Sequence, residues 1–260
     1  MQINYGIKTG FNDAFIISTE KREEILGNCK SEDERQRTAA LIRPILRGRD
    51  IKRYGYELAG YYLIATFPSM HYDIEDYPAV KDYLLSFGIE RLEQTGKRYI
   101  IDGQQIMSRK KTNNKWFETQ DSISYVDDFN KPKIVWKRIG SLLRFSYDEG
   151  GALGLDSTCF ATGEHIPYLC CLLNSKMGNY MLKDSPKTGT GDLLISVQAV
   201  EPIRVAYDKN VEDQLEPLLH QIVNQYNIAV EDEINRIIFS LYNLSPEEIT
   251  YVSEVVSQFR

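Results

Sequence analysis

Five short runs rich in aromatic and β-branched residues most constrain how this chain can fold. They are FIIS (15–18), YYLIATF (61–67), KIVW (133–136), LLRFSY (142–147) and STCFA (157–161). Turn-forming residues bound them, which is typical of β-strands. Two further segments, 77–87 and 166–182, have apolar residues at helical spacing. Strands and helices do not alternate regularly, so we predict a mixed, irregular α/β fold with long surface loops, 94–117 being the longest loop region.

The carboxy-terminal part of the chain has a purely helical pattern. Apolar residues recur at helical spacing within 211–226 and again within 234–241. Pro217 falls inside the first stripe, and proline is tolerated in the first turn of a helix but not in its interior. We therefore place the start of the first helix near Asp213, or else expect a kink at Pro217.

A third helix start is marked near the carboxy terminus. Ser245 can cap a helix, Pro246 suits its first position, and Glu248 completes a capping box. Three short helices are thus predicted in this part of the chain. The predicted organisation is a body of short mixed strands, helices and long loops in 1–205, followed by a small helical tail in 206–260.

Charged residues are unevenly distributed along the chain. The formal net charge at pH 7 is −6, yet residues 81–144 carry 13 basic and 8 acidic side chains, whereas residues 201–260 carry 4 and 11. Five basic residues also crowd into LIRPILRGRDIKRY, 41–54. The acidic charge of residues 201–260 therefore hides the basic charge of residues 81–144 in the net value.

Cysteine, histidine and hydropathy patterns exclude several classes of protein. The four cysteines show no C-x-x-C spacing, and none of the three histidines stands at metal-ligand spacing from a cysteine. No apolar stretch approaches the roughly 20 residues that span a bilayer. The first residues lack the apolar run of a signal peptide. We expect a cytoplasmic protein with buried free thiols and no metal site.

Motifs of common enzyme classes are absent from the sequence. It contains no GxSxG, HExxH, Walker or GxGxxG motif, and KTGTGD at 187–192 lacks the spacing of a Walker loop. Asp127, Asp128 and Lys131 supply the residue types of a metal-dependent nuclease, although charged residues in a loop are usually only solvated. We assign no catalytic residue.

Segment SRKKTNNKWFETQ, 108–120, has the composition of a DNA-reading loop. Basic side chains contact phosphates, and Arg, Lys, Asn and Gln read base edges. Here these residue types surround the aromatic pair Trp116 and Phe117. The candidates are Arg109, Lys110, Lys111, Asn113, Asn114 and Lys115. A solvated surface loop would have a similar composition.

Two further segments carry candidate DNA-contacting residues. WKRIG, 136–140, projects Lys137 and Arg138 from the end of a predicted strand. GIKTGFNDAF, 6–15, places Lys8 and Thr9 between two glycines, which permit a tight turn with exposed N–H groups. The alternative for this second segment is a plain β-turn before the strand at 15–18.

The order of these segments resembles one protein family. The blocks are GIKTGFNDAFII, IRPILRGRDIKRY, YYLIATF, DYPAVKDYL, KWFETQDSISYVDDFNKPKIVW, STCF, YLCCLLNSK and TGTGDLLISVQ. In this order they resemble the target-recognition domain of type IIG restriction–modification enzymes and of related adenine-specific DNA methyltransferases. The blocks RPILRGRDIKRY and LLNSK are the most specific, and EINRIIFSLYNLSPEEITYV is similar to the helical tail of those proteins. The resemblance covers nearly the whole chain.

The resemblance implies a DNA target-recognition domain in 1–205 that grips double-stranded DNA and has no catalytic activity of its own. In that family an amino-terminal methyltransferase domain, and often a nuclease domain, performs the chemistry. The chain has neither an (Asn/Asp)-Pro-Pro-Tyr motif nor a nuclease motif. We therefore expect a carboxy-terminal fragment or a detached recognition subunit. S-adenosylmethionine and magnesium are expected in the catalytic domains and no cofactor in this chain.

The basic residues of 41–54 have two candidate roles. In one they form part of the surface that meets DNA phosphates, and Gly48 lets the backbone approach closely. In the other Asp50 pairs with an arginine and the block only fixes a turn. We expect both roles to be present, divided among the residues. The candidate DNA contacts are Arg47, Arg49, Lys52 and Arg53 here, and Lys187, Thr188 and Thr190 in the 187–192 loop.

Two other functions fit the same sequence. In one, the chain is a protein-interaction module whose acidic helical tail docks a methyltransferase or translocase partner. In the other, it is a cryptic metal-dependent nuclease that uses Asp127, Asp128 and Lys131. Charge reversal across Arg109, Lys110 and Lys111 would distinguish DNA recognition from partner docking, because only DNA binding depends on those charges.

Overall fold

The strands of the protein are short, and five of the twelve in the described residues overlap the predicted apolar runs. The computed structural model describes residues 1–259. The strands are β1 (Gln2–Tyr5), β2 (Ile16–Ser18), β3 (Ile42–Leu46), β4 (Tyr61–Ile64), β5 (Arg98–Ile101), β6 (Gln104–Met107), β7 (Lys133–Lys137), β8 (Ile139–Gly140), β9 (Phe145–Asp148), β10 (Leu153–Gly154), β11 (Thr158–Thr162) and β12 (Leu193–Leu194). All five predicted runs contain a strand, although the run at 142–147 is extended only from Phe145 onward.

The helices of the described residues fall into three groups, within 12–41, 78–92 and 166–256. They are α1 (Asn12–Phe15), α2 (Thr19–Gly27), α3 (Glu32–Leu41), α4 (Pro78–Leu85), α5 (Ile89–Leu92), α6 (Ile166–Asn174), α7 (Lys176–Leu182), α8 (Val197–Val200), α9 (Lys209–Asn224), α10 (Ile228–Leu241) and α11 (Pro246–Val256). Short 3-10 turns occupy Pro68–Met70, Ile74–Asp76, Val126–Asn130 and Ser257–Phe259. The predicted mixed α/β class with a helical tail is confirmed.

Side-chain caps fix several helix starts that the apolar pattern does not show. The hydroxyls of Ser18 and Ser31 accept hydrogen bonds from the backbone N–H groups of Lys21 and Glu34 and thereby cap α2 and α3. Both helices are rich in charged residues and have no broad apolar stripe. Hydrophobic periodicity therefore fails to predict them.

The predicted helix at 166–182 is in fact two helices. Ser175 is extended, and its hydroxyl accepts a hydrogen bond from the N–H of Gly178, so it ends α6 and caps α7. The chain turns there because the Ser175 hydroxyl also donates to the carbonyl of Leu172.

The first tail helix begins earlier than predicted. Asp208 caps α9 through its carboxylate, which accepts from the N–H groups of Asn210 and Val211. The helix therefore starts at Lys209 rather than near Asp213, and it continues past Pro217. The capping box at the start of α11 is present as predicted.

Two four-stranded sheets form the body. The first sheet has the order β1-β11-β7-β9, and all its neighbouring strands are antiparallel. The second has the order β10-β3-β4-β2, in which only β10 and β3 run parallel. Two small sheets, β12-β8 and β5-β6, complete the described part of the chain. The pair β5-β6 is a hairpin within 94–117, so the prediction of a loop throughout that region is wrong.

The first sheet is buried on both faces. Val135 and Phe160 belong to a core shared with the second sheet, whereas Ile134, Trp136 and Cys159 belong to a core shared with helices. Neighbouring residues of a strand point to opposite faces, so this division follows directly from the register of β7 and β11. The sheet is therefore the middle layer of the protein.

The tail helices complete the second core. Leu215 and Leu219 of α9 and Ile234 of α10 are fully buried in the same cluster as Trp136. The tail is thus packed directly against the first sheet and the helices next to it. Within residues 1–259, no helix combines the length and apolarity needed to cross a membrane.

Candidate nucleic-acid interface

A polar cleft opens where loops from both sheets meet. It encloses about 560 Å³. Its walls come from α1, the turn after β3, the start of β4, the end of β7 and the turn between β10 and β11. The lining residues are Asn12, Asp13, Ile16, Arg47, Gly48, Arg49, Tyr61, Lys137, Leu155, Asp156 and Ser157. This cleft brings together residues that lie far apart in the sequence.

Arg49 and Lys137 are the exposed cations of the cleft. Both side chains are exposed to solvent. Gly48 packs directly on Lys137, because a Cβ atom at position 48 would lie 2.9 Å from the Cγ atom of Lys137. A larger residue at position 48 would displace Lys137. The predicted close approach of the Gly48 backbone to DNA stays a prediction; in the structure the absence of a side chain at Gly48 leaves room for Lys137.

Arg47 is held by its own turn. Its guanidinium forms an ion pair with Asp50, with Nη2 and Oδ1 2.8 Å apart, and lies 4.1 Å from the ring centre of Tyr61. Burial raises the pKa of Asp50, but hydrogen bonds from the Arg47 side chain and backbone N–H outweigh it and keep that pKa below its ordinary value. Arg47 therefore shapes the wall of the cleft, as the pairing alternative predicted for one arginine.

A second concavity of about 440 Å³ adjoins the cleft and shares Asn12 and Asp156 with it. Lys8 is exposed at its rim. Thr9 is buried: its hydroxyl donates to Asn12 Oδ1 and accepts from the N–H of Phe11. Thr9 therefore fixes the turn, and we remove it from the candidate DNA contacts, while Lys8 extends the basic rim.

The acidic residues limit where phosphates can bind. Asp13 and Asp156 line the cleft together with Arg49 and Lys137. Carboxylates repel phosphates, so the favourable position for a phosphate is the wall that carries the two cations. Asn12 offers an uncharged polar group between the two concavities.

Arg109 lies beneath the second concavity and does not face solvent. Its guanidinium donates to the carbonyl oxygens of Leu92, Thr9, Glu118 and Trp116. Burial lowers the pKa of Arg109 to about 10. Four of its five N–H donors bond carbonyl oxygens inside the protein, which does not favour the predicted DNA contact; Arg109 instead joins segment 108–120 to the turn at Thr9.

The other residues of segment 108–120 also include both structural and exposed side chains. Asn114 is half-buried, and its side-chain amide donates to the carbonyls of Thr119 and Gln120. The N–H of Gln120 donates to the carbonyl of Lys8, which ties the segment to the rim of the cleft. The exposed candidates of the segment are Lys110, Lys111, Asn113 and Lys115.

Arg53 connects the body to the tail. Its side chain is 12 % exposed and forms an ion pair with Glu231 of α10, which is 2 % exposed. It also donates to the carbonyl oxygens of Asn174 and Leu143. Arg53 is therefore an internal ion-pair partner, which does not favour the DNA contact predicted for it. Its neighbour Lys52 is exposed, and the Nζ atom of Lys52 lies 3.4 Å from Oε2 of Glu57.

The 187–192 loop lies beside β8, next to the WKRIG segment, as β12 pairs with β8. Thr188 and Thr190 bond to each other through their hydroxyls, 2.8 Å apart. Lys187 and Thr190 are exposed. Arg138 is half-buried, with its guanidinium carbon 5.9 Å from the ring centre of Tyr5. These residues form a patch separate from the lining of the cleft.

The candidate nuclease residues do not form a metal site. Asp128 is buried and pairs with Lys131, whose Nζ atom lies 2.7 Å from Oδ1 of Asp128, while Asp127 is exposed. In residues 1–259 no cluster of three or more His, Cys, Asp or Glu residues is arranged to hold a metal ion. The 3-10 turn Val126–Asn130 contains Asp128 and ends just before Lys131, so it brings the two side chains together.

Sequence reasoning missed three parts of this surface. It did not identify Asn12 and Asp156, since single polar residues in a one-turn helix or in a turn have no periodic signal. It also missed the β5–β6 hairpin, although the dipeptide Asp102-Gly103 between alternating residues is a hairpin signal.

Comparison with known proteins identifies the family of the chain. The family model of the TaqI-like C-terminal specificity domain matches residues 43–203. No curated protein sequence matches the chain. The fold is similar to part of the type IIL restriction-modification enzyme MmeI, solved in complex with DNA, with a TM-score of 0.60 and 10% identity over 99% of this chain and 35% of that one. The type IIG restriction endonuclease BpuSI matches with a TM-score of 0.47 and 12% identity, over 95% and 31% of the two chains.

The resemblance noted in the sequence is confirmed by this match. The chain spans about a third of the length of the two solved enzymes. The matched residues include the turn after β3, the β5–β6 hairpin and the end of β7, which carry most of the cleft and its surroundings. The chain belongs to the family of TaqI-like C-terminal specificity domains.

Proposed function

We propose that this chain binds double-stranded DNA through the polar cleft and is the specificity module of a restriction–modification enzyme. The observation that carries the proposal is the convergence of Arg49, Lys137 and Lys8 on one surface of a specificity domain. Lys8, Arg49 and Lys137 come from three separate segments of the sequence. In a protein with a net charge of −6, such a grouping favours a polyanionic ligand.

The shape of the site also supports a duplex ligand. The cleft and its neighbour are open and lined mainly by charged and polar residues, and they adjoin at Asn12 and Asp156, so that together they offer a trough rather than an enclosed pocket. Small-molecule sites are usually enclosed and mostly apolar. A phosphate backbone can lie along a trough whose cations stand on one wall, and phosphate contacts of this kind fix register without reading sequence.

Catalysis belongs, in this proposal, to other parts of a longer enzyme. A methyltransferase that uses S-adenosylmethionine, adenine-specific as the resemblance implies, and a magnesium-dependent nuclease would stand amino-terminal to this chain or in a separate subunit. Such an enzyme acts in the cytoplasm and serves defence against phage DNA. The candidate nuclease residues Asp127, Asp128 and Lys131 take no part in it.

The proposal is tested by a salt titration of DNA binding. Fluorescence anisotropy of the purified chain with a random-sequence duplex is measured from about 50 to 200 mM salt. Each phosphate contact contributes roughly −0.9 to the slope of log affinity against log salt. We expect a clear negative slope for the natural chain and no measurable binding for a double variant, Arg49→Glu with Lys137→Glu.

A matched control carries the same change in net charge elsewhere. Lys209→Glu with Arg236→Glu reverses two exposed cations on tail helices α9 and α10. This control should bind DNA within about twofold of the natural chain, because long-range charge effects are screened beyond roughly 10 Å at 0.1 M salt. Equal loss in both double variants would attribute binding to net charge and would overturn the cleft as the site. A natural chain that does not bind at the lowest salt would overturn the function.

The second candidate function is docking of a protein partner through the tail. It is favoured by the composition of residues 201–260, which hold 11 acidic and 4 basic side chains. Acidic surfaces of this kind direct association with basic partners. Charge reversal at Lys110 and Lys111, both exposed, separates the two functions without disturbing the buried Arg109. It should weaken DNA binding only.

A further inference from the structure

The β5–β6 hairpin presents one fully exposed face to solvent. Pairing places Arg98 opposite Met107 and Ile100 opposite Gln105, and paired side chains lie on the same face. All four residues are exposed, with Ile100 81% and Met107 59% accessible. The opposite face carries Tyr99, Ile101 and Ile106, all half-buried, with Gln104.

The hairpin is a defined ribbon rather than a flexible loop. Its turn is Asp102-Gly103, and both residues have positive φ angles, 50° and 78°. These angles match the tight two-residue turn whose twist suits a hairpin, and glycine adopts them without strain. The inner face is fixed by Tyr99, whose hydroxyl donates to Glu93. The other face, which carries Arg98, Ile100, Gln105 and Met107 and is called the outer face below, points to solvent.

The base of the hairpin stands on the rim of the cleft. Its ladder continues through backbone bonds from Ser108 to Lys97 and from Gly96 to Arg109. Arg109 then donates to the carbonyl of Thr9 in the wall of the second concavity. Arg109, two residues after the end of β6, thus connects the ribbon to the surface that carries Lys8.

The chemistry of the exposed face matches base edges. A glutamine amide can bond adenine at N6 and N7, apolar side chains contact the thymine methyl group, and arginine bonds guanine at O6 and N7. Gln105, Ile100, Met107 and Arg98 supply these groups. Lys97, Lys110 and Lys111 flank the base of the ribbon, where they can meet phosphates.

We infer that the β5–β6 hairpin enters the major groove and that Gln105 and Ile100 on its outer face determine sequence specificity. The inference rests on the proposed function. A two-stranded ribbon fits the major groove, which is about 12 Å wide, and each base pair presents a distinct pattern of donors and acceptors there, whereas the pattern in the minor groove is degenerate. The strands themselves carry no acidic side chain, and the only acidic residue of the hairpin is Asp102 at its tip. Because the face that carries Arg98 has no acidic side chain, it favours DNA over a protein partner that binds through basic side chains.

The test compares two adjacent glutamines of the hairpin. Gln105→Ala changes the outer face, and Gln104→Ala, the matched control, changes the opposite face of the same strand. The natural chain and both variants are each used to select duplexes from a random library, and their affinities for selected and random duplexes are measured by anisotropy. Ile100→Ser is examined in the same way.

The expected result distinguishes the reading of base sequence from DNA binding as such. The natural chain should select a preferred sequence. Gln105→Ala should lower the preference at one base pair by roughly tenfold or more, and Ile100→Ser should lower it at a neighbouring base pair, with affinity for random DNA within about twofold of the natural value. Gln104→Ala should select the same sequence as the natural chain.

Other results would overturn the inference, and they are distinguishable. If the natural chain selects a sequence and Gln105→Ala and Ile100→Ser select it equally well, the hairpin does not read bases although the proposed function stands. Equal effects of Gln104→Ala and Gln105→Ala would show that the outer face is not the reading face. If the natural chain does not bind DNA at all, the proposed function fails together with the inference.

Discussion

Segments 43–53 and 109–115 have similar basic compositions but use their buried arginines differently. In the first, Arg53 reaches a carboxylate, Glu231, in the tail. In the second, Arg109 reaches four backbone carbonyls. Each segment also carries exposed cations within a few residues of its buried arginine. Basic composition alone therefore does not separate a structural arginine from a DNA contact.

The difference between the two arginines concerns how a buried charge is stabilised. Arg53 is compensated by a full negative charge, so the pair is neutral and joins the body to α10. Arg109 is compensated by dipoles, and burial lowers its pKa to about 10. We infer that Arg53 serves assembly of the tail, whereas Arg109 serves the shape of the loops around the cleft.

The largest expected effect follows from breaking the Arg53–Glu231 pair. Arg53→Met keeps an unbranched side chain but removes the positive charge that compensates the buried Glu231 carboxylate, which should cost about 3–5 kcal/mol. The free energy of unfolding in urea measures it. The control Arg49→Met, in an exposed position, should change stability by less than about 0.5 kcal/mol. A stable Arg53→Met variant that had lost DNA affinity would instead make Arg53 a DNA contact.

A smaller loss is expected at Arg109. Arg109→Lys keeps the charge, but one ammonium group cannot reach four carbonyls that a planar guanidinium bonds simultaneously. Buried carbonyls left without donors should lower stability by about 1–3 kcal/mol. Thermal or urea unfolding checks this, with the exposed Lys111→Arg as the control. Stability unchanged in Arg109→Lys would show that the charge, and not the geometry of the hydrogen bonds, holds the loops.

The exposed cations should affect binding and leave folding unchanged. Arg49→Ala and Lys137→Ala should each reduce the salt slope by about 0.9 and lower affinity at low salt by roughly three- to tenfold. Stability in urea should stay the same. Lys209→Ala on α9 serves as the control for net charge. A variant that loses stability without a change in slope would move that residue from the binding surface to the structural set.

Much of the fold could be predicted from the sequence because the spacing of apolar residues indicates many of its strands and helices. The run at 133–136 and the stripe at 211–226 both correspond to observed elements. Helices α2 and α3 were missed because their serine caps and polar faces carry little periodic signal. The start of α9 was misplaced since Pro217 was given more weight than the cap at Asp208.

The candidate site was predictable only in part. Residue type identifies a cation that can meet a phosphate, but it does not say where the side chain points. Arg49 and Arg53 are four residues apart in one basic block, yet one lines the cleft and the other is buried against α10. The position of Arg53 depends on Glu231, which is far away in the sequence, and a single sequence does not reveal such a pairing.

The smallest expected effect concerns Lys52, which is neither a buried arginine nor a cation of the cleft. It is exposed, sits 3.4 Å from Glu57, and is not part of the cleft lining. Exposed pairs of this kind contribute little, so Lys52→Ala should change stability by less than about 0.5 kcal/mol. Because Lys52 lies outside the lining, we also expect an unchanged salt slope in the anisotropy titration. A slope reduced by about 0.9 would show instead that Lys52 contacts a phosphate and that the DNA surface extends past the cleft, along the block from Arg49 toward the tail.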